Sequence, residues 1–189
     1  MAIAGVDLGA GRSPTGIVVL DAEGLLRQAG LARPGARPEA IARLLASMGV
    51  KVAAVDAPLR PSPGLRPAER LIAKCTGTPM LPQGFPGMRR LASLGAALVV
   101  ALGRLGIMAL ETYPAAAARV LRVARPRGRG RHVADALLAA LAGLAYHRGE
   151  ALGALAGPDL IIVPAPLEYY RRVYEGLLPS ALGAGYLDI

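Results

Sequence analysis

The sequence predicts an α/β fold, a mixed five-stranded sheet that is antiparallel through strands 1–3, parallel thereafter, and flanked by helices. Three observations carry that expectation. The N-terminal runs Ala2–Asp7, Thr15–Leu20 and Leu25–Leu31 are short, apolar and separated by turn residues, as in a meander. Val52–Asp56 and Ile107–Glu111 are continuously apolar up to a terminal carboxylate, the pattern of strands buried on both faces. Between and after them lie segments with helical spacing, beginning with Ile41, Leu44, Leu45 and Met48 on one face of Pro38–Met48.

Taken in order, the first strand closes on Asp7, and Gly9-Ala-Gly11-Arg-Ser13-Pro14 reads as the turn that returns the chain. Asp21-Ala-Glu-Gly24 is a tight connection into the third strand. A helix over Pro38–Met48 leads into the fourth strand. Residues 57–89 then break the rhythm with seven prolines, leaving room for one short helix near Ala68–Lys74. So long a connection inside a compact domain marks a functional segment, here an insertion or lid. Met88–Leu105 is a long helix, Ile107–Glu111 the fifth strand, and Thr112–Leu121 a short helix starting near Pro114. A helix over His132–Arg148 follows, with a further short strand at Leu160–Val163 and a terminal helix at Leu167–Leu178. The expected organisation is one domain over residues 1–165 and a helical tail over 166–189.

Bulk composition narrows the function classes. Of 22 basic residues only Lys51 and Lys74 are lysine, and the formal net charge is +9. A basic balance favours a polyanionic partner such as nucleic acid, against the competing account that Arg-, Ala- and Gly-rich usage reflects a GC-rich genome. A single cysteine, Cys75, excludes an intrachain disulfide framework. The longest apolar run, Leu91–Gly103, is too short to span a bilayer, and no cationic-then-apolar leader opens the chain. The expectation is a cytoplasmic protein with no membrane partner.

The chemistry is carried by carboxylates. There are 13 acidic residues, and three of them, Asp7, Asp56 and Glu111, terminate buried-looking strands. Asp135 opens an apolar helix, three residues after His132 and so on the same helix face. Strand ends at the carboxyl edge of an α/β sheet are where such sheets place their sites. Carboxylates that converge there repel one another unless a divalent cation holds them. Between Thr112 and Ala134 there is no acid at all, but there are Arg119, Arg122, Arg125, Arg127, Arg129 and Arg131. That run is a basic segment between two of the candidate carboxylates, a contact for backbone phosphates in one reading and an ordinary basic loop in the other. Structural roles compete with these assignments: Asp7 as a turn former, Asp56 as an Asx turn, Glu111 and Asp135 as helix-dipole partners.

Taken together, Asp7 followed by Gly9 and Thr15-Gly16, Val55-Asp56-Ala57-Pro58-Leu59, Glu111-x-x-Pro114 and His132-x-x-Asp135-Ala-Leu resemble the RNase H-like nuclease superfamily. The opening and the last motif are similar to RuvC- and YqgF-type resolvase domains. The whole set most resembles a family of predicted RNase H-like nucleases, over about residues 1–165. Two positions depart from that family's pattern: no Trp follows the glycine at Thr15-Gly16, and Ala134 stands where a second aspartate is common. The resemblance implies hydrolysis of phosphodiester bonds with two Mg²⁺ or Mn²⁺ ions. It implies Asp7, Asp56, Glu111 and Asp135 as metal ligands, with Asp7 bridging and His132 assisting the attacking water. Resolvases of this type work as dimers, which makes a homodimer an expected assembly, with the tyrosines of the tail (Tyr169, Tyr170, Tyr174) as one face for it or as a cap on the sheet. Two other classes compete: an inactive RNase H-like module that binds nucleic acid or protein, and an actin- or sugar-kinase-like phosphotransferase. The kinase class needs a second nucleotide-closing domain that 189 residues do not easily supply.

Overall fold

The structure, a computed structural model, describes residues 1–189. Its centre is a seven-stranded sheet in the order β3-β2-β1-β4-β5-β7-β6. Strands β1 (Ala2–Asp7), β2 (Thr15–Asp21) and β3 (Leu26–Ala32) form the antiparallel meander, and β4 (Val50–Asp56) pairs with β1 in parallel. β5 (Met108–Thr112) and β7 (Asp159–Pro164) continue the parallel run, and β6 (Ala151–Ala156) closes the sheet as an antiparallel hairpin with β7. The sheet therefore has seven strands rather than the five expected. β6 escapes sequence patterning because Ala-Leu-Gly-Ala-Leu-Ala carries no β-branched or aromatic residue. Its pairing with β7 supplies what its composition does not.

Period two along the strands builds two apolar layers. Ile3, Val18, Leu20, Val52 and Leu110 face one side; Ala2, Ala4, Val6, Ile17, Val19, Ala53 and Val55 face the other. Helices α1 (Pro38–Ser47) and α3 (Pro86–Arg104) cover the second side. The first side is covered by α5 (Gly130–His147), flanked by α4 (Pro114–Leu121), α2 (Pro67–Thr76) and α6 (Glu168–Leu182). α1, α2, α3 and α4 each begin with proline, whose fixed φ and missing N–H suit the first helical position.

α5 is apolar almost all round because it is enclosed by sheet on one side and helices on the other; every residue from Val133 to Ala145 is buried. Its approach to the sheet is close enough to forbid side chains. A Cβ on Gly5 would fall 1.9 Å from the carbonyl oxygen of Ala136, and one on Gly16 would fall 2.0 Å from that of His132.

The C-terminal residues share this core. Tyr170 and Tyr174 are fully buried, so of the three tail tyrosines only Tyr169 stays at the surface. Beyond α6 the chain runs along β3, with Leu31 donating its N–H to Gly185 and accepting from Leu187. No helix is long and apolar enough to cross a membrane.

The glycine contacts give a direct test. Gly5→Ala is expected to lower unfolding free energy in urea by about 3 kcal/mol or more, because backbone must move. Gly103→Ala, on an open face of α3, should instead gain up to about 1 kcal/mol from helix propensity. Equal effects at the two positions would refute the close α5–β1 contact.

Candidate metal and nucleic-acid site

Asp7 and Asp56 lie directly opposite one another at the carboxyl ends of the adjacent parallel strands β1 and β4. Because side chains alternate along a strand, residues in register project to the same face, here the one covered by α5. The turn after Asp7 is fixed by Thr15, whose hydroxyl accepts the Gly9 N–H at 3.0 Å. Gly16 is the register partner of Asp7, and its missing side chain lets the first turn of α5 settle over this edge. That turn carries His132, and the next carries Asp135. Carboxylate oxygens of Asp7, Asp56 and Asp135 come within 4.8 Å of one another.

The electrostatics match that crowding. The carboxyl of Asp7 titrates above the usual aspartate range because of burial, opposed by its hydrogen bond from His132 and reinforced by the charge of Asp135. Asp56 is pushed well above that range by loss of water, and then by Asp7 and Asp135. His132 Nδ1 lies 2.6 Å from Asp7 Oδ2, and this hydrogen bond raises the imidazole pKa despite its partial burial. Asp135, only 2% exposed, accepts two hydrogen bonds from Arg125 (Nε at 2.6 Å, Nη2 at 2.5 Å) and one from Arg131 Nε at 3.2 Å. Three hard oxygen donors within 4.8 Å of one another are a donor set suited to Mg²⁺ or Mn²⁺. A cation would supply the positive charge that now comes from His132, Arg125 and Arg131.

Glu111 takes a different place. β5 runs one residue further than expected, to Thr112, and Glu111 is in register with Val55 rather than with Asp56. It therefore alternates away from the aspartates. Its carboxylate is held by both terminal nitrogens of Arg66 and by the Leu59 N–H at 2.9 Å. Arg66 is buried and also binds Glu69 (2.9 Å) and Asp159 (3.4 Å), while Arg60 reaches Asp159 at 3.0 Å. This network fastens the 57–89 excursion to the sheet. Arg66 is the fastening residue that the sequence hides. The only local sign of it is Arg66-Pro-x-Glu69, in which Glu69 accepts the Arg66 N–H as a capping box would.

The six arginines after β5 divide as well. Arg125 and Arg131 turn inward to Asp135, Arg119 bonds the Gly77 carbonyl at the end of α2, and Arg129 stacks on Tyr186. Arg122, which ends α4 in the left-handed conformation (φ 56°), and Arg127 are exposed. Arg119, Arg122, Arg125 and Arg131 line one open cavity of about 610 Å³ that contains no acid.

Comparison with solved structures returns the RuvC fold. The structure of T. thermophilus RuvC in complex with Holliday junction substrate superposes with a TM-score of 0.50 at 18% sequence identity, covering 79% of this chain and 97% of that chain. A second Thermus thermophilus RuvC structure matches over the same shares of the two chains, also at 18% identity, with a TM-score of 0.46. No protein-family model and no curated protein matches. The fold is thus RNase H-like, as the motifs implied.

Two outcomes follow from the geometry. Protons and cation compete for Asp7 and Asp56, whose raised pKa values extend that competition above the ordinary aspartate value of about 3.9. Mn²⁺ affinity, measured by calorimetry or electron paramagnetic resonance, should therefore rise about tenfold or more from about pH 5 to about pH 7, with proton release on binding. A flat profile would show that the cluster does not ligate. Glu111→Gln should cost about 3 kcal/mol or more of stability by removing one charged partner of the buried Arg66, yet change Mn²⁺ affinity less than about threefold. A large loss of Mn²⁺ affinity would return Glu111 to the ligand set.

Proposed function

We propose that this protein is a metal-dependent nuclease that hydrolyses phosphodiester bonds of nucleic acid at Asp7, Asp56 and Asp135. The observation that carries the reading is the convergence of these three carboxylates within 4.8 Å, next to a cavity lined by four arginines. A protein that merely bound phosphate would gain nothing from clustered negative charge at its binding face. The fold shared with RuvC, whose structure was determined with a Holliday junction substrate, supports nucleic acid as the partner class.

Asp7, Asp56 and Asp135 would hold Mg²⁺ or Mn²⁺, with two ions as the expected number. When bound, the ions supply positive charge to the phosphoryl oxygens and lower the pKa of coordinated water. The chain's own residues do the rest. Asp7 and Asp56 are fixed by strand register and Asp135 by α5, so the ligands need little reorganisation. His132, with its side chain 27% exposed, is placed to hold or move a proton at Asp7 Oδ2. Arg125 and Arg131 neutralise Asp135, and a substrate phosphate is the competing anion for their guanidinium groups. Arg119, Arg122, Arg127 and Arg129 extend the basic surface and contribute affinity that is independent of base sequence.

Asp7→Asn tests the assignment. Cleavage of labelled single-stranded, duplex and branched oligonucleotides in Mn²⁺ should fall by more than about 100-fold, beyond what loss of a ligand's supporting partner costs. Binding of the same oligonucleotides should persist or tighten, since one negative charge is gone. Full activity in Asp7→Asn, or no cleavage by the unaltered protein of any of these substrates, would reject the reading. Replacing Arg122 and Arg127 together by Ala should flatten the dependence of log affinity on log salt by about 1–2 units.

A further inference from the structure

A second cavity, of about 170 Å³, opens beside the aspartates at the carboxyl ends of β4 and β5. Its walls include Asp56, Met80, Leu81, Met88, Leu91 and Tyr113. Neither the metal cluster nor the arginine-lined cavity accounts for it, and its chemistry is the inverse of the latter. Three carboxylates, Asp56, Glu69 and Glu111, face it, and no Lys, Arg or His does. The arginine-lined cavity has four guanidinium groups and no carboxylate. The two share Tyr113, whose hydroxyl donates to the Pro79 carbonyl at 2.7 Å, and Asp56 belongs both to the smaller cavity and to the metal cluster.

We propose that the smaller cavity receives the base of a nucleotide adjoining the scissile phosphate, unstacked from its neighbours; this rests on the nuclease reading of the aspartate cluster. The polarity of the two cavities matches the two ends of a nucleotide. Phosphate is excluded from the smaller one by its carboxylates and drawn to the arginines. A neutral base offers flat apolar faces to the methionines and leucines, and ring or exocyclic N–H groups to oxygen acceptors at the cavity floor. Glu111 Oε1 accepts only from Arg66, and the Thr112 hydroxyl, which donates to the Ile162 carbonyl at 2.7 Å, retains its acceptor capacity. Methionine side chains adapt to rings of different outline, which favours tolerance of base identity over a strict code.

Size sets the substrate class. The cavity is smaller than the roughly 300–1,000 Å³ typical of sites for drug-sized ligands, so it admits one ring system and no paired or stacked bases. A base reaches it from a single strand, a loop or a branch, or by extrusion from a duplex at the cost of unstacking. The lining is compatible with entry: Leu81, one of its residues, is 64% exposed.

The test compares ligands that differ only in the base. Equilibrium binding of ribose 5-phosphate and of the four ribonucleoside 5′-monophosphates to the full chain is measured in Mg²⁺. At least one nucleotide should bind about tenfold or more tighter than ribose 5-phosphate, the range that base stacking on a protein supplies. The double variant Leu81→Ala, Met88→Ala removes only partly exposed or exposed side chains, so it should fold. It should abolish that difference while leaving ribose 5-phosphate affinity unchanged. Nucleotides no tighter than ribose 5-phosphate, or a difference that survives the double variant, would overturn the proposal. Cleavage assays on the same preparations separate the two readings. Base-dependent binding without any cleavage sinks the nuclease and keeps the cavity, and cleavage without base-dependent binding does the reverse.

Discussion

The site exists because α5 lies against β1 and β2 at a distance that only glycine permits. Gly5 faces the backbone of Ala136 and Ala140, and Gly16 faces that of His132, with spacings that no side chain could share. One contact line therefore does two things. It seats the most apolar helix of the protein in the core, and it sets the height of the first turn of that helix over the sheet edge. His132 lies in that turn and Asp135 in the next. A helix resting even one side-chain radius further out would leave Asp135 too far from Asp7 and Asp56 to share a cation.

Charge is organised in two separate networks near the carboxyl ends of β4 and β5. Asp7, Asp56 and Asp135 are answered by His132, Arg125 and Arg131, groups that are half-buried or exposed and free to exchange partners. Glu111, Glu69 and Asp159 are answered chiefly by Arg66, which is buried and committed. The distinction is one of solvent access. An ion pair with one exposed partner can be broken by a competing ion at modest cost, whereas removing a partner from a buried pair leaves a charge with nowhere to go. The first network suits an exchangeable site and the second suits a fastening.

Much of this was legible in the chain. Asp7, Asp56 and the His132–Asp135 pair were readable because strand ends and helix starts are local features, marked by apolar runs that stop at a carboxylate. Thr15-Gly16 was readable as a motif, but its reason, the seat for α5, depends on residues more than a hundred positions away. Glu111 closes an apolar run just as Asp56 does, but no local pattern gives the register, which sets it opposite Val55, where Arg66 and the Leu59 N–H hold it. No local pattern could announce Arg66, since its principal partner is 45 residues distant. β6 was invisible for a different reason: alanine, leucine and glycine state no preference, and the hairpin with β7 decides. The cavity beside Asp56 was equally hidden, being assembled from three separate segments of the chain.

The position of α5 in the sequence also governs how the protein is made. β1, β2 and β3 are complete within the first 32 residues, but the helix that covers one of their faces spans residues 130–147. During synthesis the apolar face bearing Ile3, Val18 and Leu20 must wait for most of the chain to emerge before it is covered. Contacts so distant in sequence close large loops and form late. The nascent chain thus passes through a long interval in which a finished meander is sticky on one side, the circumstance in which newly made proteins depend on chaperones. Asp135 joins Asp7 and Asp56 only when that interval ends, so the candidate metal site is completed only when folding of the α5-side core is nearly done.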